Sequence, residues 1–343
     1  MEDSGTACPE SGWQPCHLLF RRDGQLRGLA PLFLKVHSEG EFVFDYGWAS
    51  AYERAGGSYY PKFQSAVPYT PVPGPRYLVH PDDPNPLQVR QYLRQGQLSL
   101  AEGTRVSSLH VTFCNAEEYE EGHKVGWLQR LGVQFHFPNR GYRDFSDFTA
   151  QLSARKRKAV LKERREGQKD LKIEALNGSD LKEEHMDFLF RCYVDTCSRK
   201  WGRAALTREF FQLLGQRMPQ QVVLMLASKA GRYVAAALNL KGSTSLFGRN
   251  WGALEEIPYL HFELCYYQAI QYAIDHGLER VEAGAQGFHK VARGYLPVLT
   301  YSLHWIADPG FRAVLERVLQ QERAEITAQR DLLEEEHSPY RKA

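Results

Sequence analysis

The feature that most narrows the folds open to this chain is an order of elements that occurs twice. HLLFRRDGQLRGLAPLFLKVHSEGEFVFDYGW (His17 to Trp48) and VVLMLASKAGRYVAAALNLKGSTSLFGRNWG (Val222 to Gly252) each read as an apolar strand, a charged turn at Gly24 or Gly231, and a second strand with small residues. Those small residues are Gly28 and Ala30 in one, and Ala235, Ala236 and Ala237 in the other. A third strand is expected to end each segment at an aromatic-glycine corner, Tyr46-Gly47-Trp48 or Asn250-Trp251-Gly252. This is the signature of a three-strand meander used twice, with Gly24 equivalent to Gly231.

After the second meander, Pro258 to His276 reads as a helix, with proline in its first turn and Gly277 at its end. Leu260, Leu264, Tyr267, Ile270 and Ile274 keep helical spacing, and Phe262, Cys265, Ala269 and Ala273 cover a neighbouring face. Burial on most sides is therefore expected. A strand over Leu278 to Ala285 follows. The first half echoes this plan with a helix around Pro86 to Glu102 and a strand over Ser107 to Phe113, after the insertion YYPKFQSAVPYTPVPGP.

A length of 343 residues suits two domains, expected over 1–140 and 141–310, with a polar helix or tail over 311–343 lying on the surface. Net charge is only +2, so any basic site must be local. Cys8, Cys16, Cys114, Cys192, Cys197 and Cys265 lack metal-like C-x-x-C spacing, and reduced thiols are expected. Nothing specifies a metal, and there is no G-x-S-x-G elbow, Walker loop or H-E-x-x-H. No apolar run approaches the roughly 20 residues of a membrane span, and MEDSGTACPE has no hydrophobic signal core. A cytoplasmic protein is expected. GWQPCHLLFRR reads as a strand very early, so the first domain is expected to lack its first helix.

Three stretches carry candidate chemistry. EAGAQGFHKVARGYLP (Glu282 to Pro297) places Gln286, His289, Lys290 and Arg293 beside Gly284 and Gly287, where backbone and cations can approach an anion. The alternative is a loop whose cations pair with surface carboxylates. SARKRKAVLKERREG reads as a helix with Phe148, Leu152 and Ala159 marking its inner side, and Arg155, Lys158, Lys162 and Arg165 forming a basic stripe. The stripe is a solvated face balanced by Glu163 and Glu166, a nuclear-import-like match, or a polyanion surface suited to transfer RNA. In SRKWGRA, Lys200, Trp201 and Arg203 form a further contact cluster, unless the tryptophan is core.

Taken together, SARKRKAVLKERRE, SRKWGRAALTREFFQLLGQRM, GRNWGALEEIPYLHFELCYYQAI and EAGAQGFHKVARGYLPVLTYSLHWIADP resemble the FemAB-like predicted N-acyltransferases over nearly the whole chain. The resemblance implies an α+β fold of two tandem GNAT-like domains, with mixed, mostly antiparallel sheets flanked by helices. It implies N-acyl or aminoacyl transfer to a small-molecule or nucleotide-linked amine in the second domain, with acyl-CoA or aminoacyl-tRNA as co-substrate. A lysine in an aromatic-Lys-x-Gly loop is associated there with a phosphorylated acceptor, and Lys290 is the best match. Arg249 and Trp251 in GRNWG fall among the substrate-binding candidates. The acidic residue expected at position 288 is phenylalanine.

Acyl transfer needs a neutral amine, an aligned donor and hydrogen-bond donors to the developing oxyanion. A GNAT-like site splays two strands and sets a helix start beside the donor's phosphates. Here that start reads LEEIPYLHF instead of the glycine-rich loop of acetyl-CoA users, and Glu255 and Glu256 oppose pyrophosphate. His261 and Glu263 fall in the first helical turn. The helix dipole keeps an imidazole neutral, which favours His261 as general base, with Glu263 and Glu282 as further catalytic candidates. The alternatives are a packing histidine and a carboxylate that merely complements the helix start. A catalytically silent nucleotide- or glycan-recognition protein is the competing function.

Overall fold

A computed structural model of the protein describes residues 1–200, 202–285 and 287–341. Two compact units emerge. The first comprises Met1–Glu2, Ala7–Val133 and Leu299–Gln329; the second comprises Asp3–Thr6, Gln134–Val298 and Arg330–Ala343. The unit boundaries fall inside the strands Leu128–Pro138 and Leu296–Ile306, so each half of the sequence lends segments to both units.

In the second unit the expected succession of meander, helix and strand is present. Lys172–Leu176, Val222–Lys229, Arg232–Lys241 and Ser245–Ala253 pair antiparallel in that order. Arg280–Glu282 then lies parallel to Ser245–Ala253 and antiparallel to residues 136–138. Val222, Val223, Leu224, Met225, Ala235 and Ala236 are all buried, so consecutive side chains face apolar surroundings on both sides of these strands. Helix Glu183–Lys200 packs over the sheet so closely that a Cβ at Gly252 would collide with the Cys192 carbonyl. Only glycine fits there.

The first unit departs from the expected repeat. Its hairpin, Leu18–Arg22 with Gln25–Ala30, shares a turn with the second: Asp23 and Gly24 (φ 52° and 75°) match Ala230 and Gly231 (φ 48° and 76°). Both are two-residue turns with positive φ at both positions, and both have a register shift just before the turn. The expected third strand is absent. Residues 36–45 form a loop and Tyr46–Arg54 is a helix, so the hairpin joins only Leu78–Val79 in a three-stranded sheet. The larger sheet instead orders Trp13–Pro15, Phe33–Lys35, Lys62–Ser65, Ser108–Cys114 and residues 301–306. Lys62–Ser65 arises inside the segment read as an insertion.

The helix Pro309–His337 is not a surface tail. Leu315 and Leu319 are buried with Trp48, Tyr59 and Ile306 in a core cluster of the first unit. Its mixed polarity reflects one buried seam in an otherwise solvated helix. No helix among the described residues is long and apolar enough to cross a membrane.

Candidate active site

Ser245–Ala253 and Arg280–Glu282 begin as paired parallel strands, in register from Ser245 opposite Arg280 to Phe247 opposite Glu282. The second strand ends at Glu282 while the first runs on to Ala253. The expected strand over Leu278 to Ala285 is thus cut to three residues, and its pairing with Ser245–Ala253 ends at Glu282. Beyond Ala253 the chain turns through residues 254–259 into a helix over 260–275, with Tyr259 in the left-handed region (φ 63°) and Pro258 outside the helix. Residues Glu263–Tyr267 make one π turn in it. Such turns widen a helix locally and frequently accompany functional sites.

A cleft of about 610 Å³ lies at this helix start, lined by Lys200 and Arg199, by Trp251, by Glu255 and Glu256, and by His261. His261 is half-buried, edge-on to Trp251 and Tyr266 at ring separations of 5.3 and 5.4 Å. Burial, then the neighbouring charges of His289, Lys200, Lys290 and Arg293, pull its basicity down to about 4. The imidazole is therefore neutral at physiological pH, with burial as the largest cause. Glu255 is 3.6 Å from Lys229 and 3.7 Å from Arg232; Glu256 is exposed.

The other candidates divide. Glu263 turns into the protein, fully buried, where Gln168 and Gln268 donate to its Oε1 at 2.8 and 2.6 Å. Burial raises its proton affinity, the reverse of the helix-start expectation. Glu282 is also buried; Arg280 donates to it at 2.9 Å, and burial raises its affinity too. His289 is exposed and sits 3.0 Å from the Tyr266 hydroxyl. Arg249 is half-buried, with burial lowering its proton affinity to about 10. Lys200 is exposed. Trp201 and Gln286 lie outside the described residues.

Lys290 and Arg293 are buried, not the exposed loop cations expected. Lys290 donates to the carbonyls of Ala283 and Gly284 at 2.5 and 3.2 Å, and burial lowers its proton affinity to about 8. Arg293 grips Glu163, stacks 3.6 Å from the Phe262 ring centre and donates to the His289 carbonyl at 2.7 Å. The six-residue 3₁₀ turn Phe288–Arg293 draws both side chains inward. Arg155, Lys158, Lys162 and Arg165 are exposed on helix Ala154–Gly167, as expected. Ala159 is exposed as well, and Val160 supplies the buried contact instead.

A family profile described as peptidoglycan biosynthesis/recognition, FemAB-like, matches residues 1–342. The chain belongs to the FemAB-like family. Its fold is similar to that of FemX, with a TM-score of 0.56 and 12% identity, over 92% of this chain and 93% of that one. It is similar also to L-PGS from Bacillus licheniformis, with a TM-score of 0.55 and 10% identity, over 90% and 89% of the respective chains. At such identities the likeness concerns the fold. No curated protein matches by sequence. The strand pair, the cleft and the 3₁₀ turn with its inward-facing Lys290 and Arg293 all lie in the second unit, whose helix-start loop carries carboxylates. Asp195 and Arg199 of the cleft escaped the sequence reading because helix Glu183–Lys200 shows mainly a packing pattern.

Proposed function

We propose that the second unit transfers an acyl or aminoacyl group to an amine, with the reacting carbonyl in the cleft that Trp251 and His261 line together. The observation that carries this reading is the cleft at the start of helix 260–275, where Trp251 from the strand Ser245–Ala253 and His261 stand on one wall. An extended acyl donor lying in this cleft runs past the last residues of Ser245–Ala253 and ends at His261. Attack by the neutral amine forms the C–N bond and breaks the ester or thioester bond. The leaving oxygen or sulfur departs with the electron pair, and His261 takes the proton from nitrogen.

The lining favours an aminoacyl ester over a coenzyme A thioester as donor. Glu255 and Glu256 occupy the loop where a coenzyme A site needs glycines and cations for pyrophosphate. The exposed stripe of Arg155, Lys158 and Lys162 offers charge to the phosphates of a transfer RNA. The Lys290 and Arg293 side chains contribute by holding the turn that shapes the acceptor side. Such a reaction has its substrates in the cytoplasm, and it calls for no resident cofactor.

A second reading, a silent nucleotide- or glycan-recognition protein on the same fold, draws support from the inward-turned Glu263 and Glu282. Turnover separates the two. Purified protein is incubated with aminoacyl-tRNA or acyl-CoA and a set of amines, and amide products are read by mass spectrometry. An amide product that disappears with His261→Ala supports transfer. Ligand binding without any amide product supports recognition.

A further inference from the structure

The segment 339–341, which follows the helix Pro309–His337, is tied to the end of the turn Phe288–Arg293 within the second unit. Its backbone runs beside residues 151–153: Ser153 N–H donates to the Pro339 carbonyl at 2.9 Å, Arg341 N–H donates to the Gln151 carbonyl at 3.0 Å, and Leu152 and Tyr340 form an antiparallel bridge. Pro339 is buried, and the Arg140 guanidinium stands 4.6 Å from the centre of the Tyr340 ring. From this anchorage the Tyr340 hydroxyl donates to the Gly294 carbonyl at 2.8 Å.

That bond falls on a peptide unit held at both ends. The peptide between Gly294 and Tyr295 offers its carbonyl to Tyr340, and its N–H donates to the Lys290 carbonyl at 3.3 Å. Since the unit is planar, Tyr340 fixes the direction of the N–H that Lys290 receives. Gly294 has φ 99°, and a Cβ there would meet the Phe148 ring at 2.7 Å, so only glycine permits this placement. Before the turn, Gly287 has φ 94° and its carbonyl accepts from Lys290 N–H at 3.0 Å. Two glycines thus bracket the turn, at points where the backbone can rotate with little steric resistance.

The conformation held in this way is incompletely satisfied. Lys290 is buried with its ammonium on the Ala283 and Gly284 carbonyls, and no carboxylate stands beside it. A buried ammonium without a counter-charge is destabilising. Tyr295 is fully buried, and its hydroxyl has no hydrogen-bond partner. The inward turn therefore depends on a tie from outside itself. We infer that the segment 339–341 is a strap that gates Lys290. With Tyr340 in place the ammonium faces inward; with Tyr340 detached the peptide after Gly294 rotates, the Lys290 carbonyl is released, and the side chain swings to solvent, where it can meet an anionic group of the acceptor. Only that last step rests on the transfer reading, and the test of the gate reads no turnover.

The test compares the full chain, Tyr340→Phe, which keeps the ring and loses the bond, and a chain lacking residues 339–343. Trace acetylation with acetic anhydride is read at Lys290 by peptide mass spectrometry, with the exposed Lys158 as internal reference. Amide exchange is read over residues 287–295, with the strand Val222–Lys229 as control. In the full chain Lys290 is expected to label at least about tenfold more slowly than Lys158. Tyr340→Phe is expected to raise Lys290 labelling and exchange in the turn by about threefold to tenfold, as befits the loss of one hydrogen bond, and truncation is expected to raise both further. Exchange in Val222–Lys229 is expected to stay unchanged. Lys290 labelling as fast as that of Lys158 in the full chain, or equal in all three proteins, overturns the inference, as does a rise shared equally by the control strand. If the truncated chain fails to fold, Tyr340→Phe decides alone, and unchanged Lys290 labelling in that folded variant overturns the gate.

Discussion

Arg293 and Glu163 form a two-pronged ion pair, with Arg293 Nε 2.9 Å from Glu163 Oε2 and its terminal nitrogen 2.8 Å from Oε1. The Tyr267 hydroxyl donates to the same carboxylate, so three elements of the second unit meet at Glu163. Removing the guanidinium leaves a largely desolvated carboxylate behind. Arg293→Ala is expected to destabilise the protein by about 3 kcal/mol or more. Arg293→Lys should recover only part of the loss, because a point charge cannot reproduce both prongs. Urea unfolding followed by circular dichroism measures both, and a loss within the range of a surface pair would show that the contact is solvated.

Lys290 gives a pH dependence of stability with a definite sign. Burial lowers its folded affinity to about 8, below that of an unfolded lysine. Between these values the unfolded state binds more protons, so stability rises with pH over roughly pH 8 to 10. Below that window the folded protein carries the full cost of burying the charge. Lys290→Met should therefore flatten the rise. The difference between the two proteins' stability curves, measured by urea titration at several pH values, isolates this lysine from other groups titrating nearby.

The second unit was readable because its signals are local. A glycine turn at Gly231, alternating and continuous apolar runs around it, and a long apolar helix all point to one arrangement, and the structure has it. The first unit was misread where local preference and tertiary context part. Residues 41–48, EFVFDYGW, have the β-prone composition of a strand, yet Asp45 is required by Lys62 and the chain goes into a helix at Tyr46. Lys62 itself sits in a proline- and tyrosine-rich stretch that resembles a loop. Cation count alone also misplaced Lys290 and Arg293. Their partners, the Ala283 carbonyl and Glu163, come from a strand end and from a helix far away in sequence, a pairing no spacing rule reveals.

The acidic loop at the cleft makes a donor-selectivity prediction. Glu255→Gln combined with Glu256→Gln removes negative charge from the helix-start loop and should raise affinity for a coenzyme A ester by about tenfold. The fold should persist, since Glu256 is exposed and the Glu255 contacts with Lys229 and Arg232 are long, surface-type pairs. Calorimetry with acetyl-CoA reads the change. Tight binding by the unsubstituted protein would overturn the preference for an ester donor.

Charge on helix Ala154–Gly167 predicts a salt-dependent readout. If Arg155, Lys158 and Lys162 bind transfer RNA, replacing all three by glutamine should weaken binding and reduce the slope of log K against log salt by about 0.7 to 0.9 for each phosphate no longer neutralised. All three are exposed, so the melting temperature should hold. Filter binding across a salt series measures the slope, and an unchanged slope would return the stripe to a solvated helix face.

His261 supplies the prediction most closely tied to turnover. It lines the cleft beside Trp251, and burial with the surrounding cations lowers its affinity for a proton to about 4. A base of that kind is neutral throughout the physiological range, so with kcat/KM expressed per neutral amine the remaining acidic limb should fall near pH 4, well below the value of about 6.5 for an unperturbed histidine. His261→Ala should lower kcat by about a hundredfold or more while leaving the melting temperature near that of the unsubstituted protein. His261→Gln keeps a polar side chain that can hydrogen-bond but cannot take the proton at these pH values, so it should be as slow as the alanine variant. An acidic limb near 6.5, or a glutamine variant with nearly full turnover, would show that His261 positions the substrate and that another group accepts the proton.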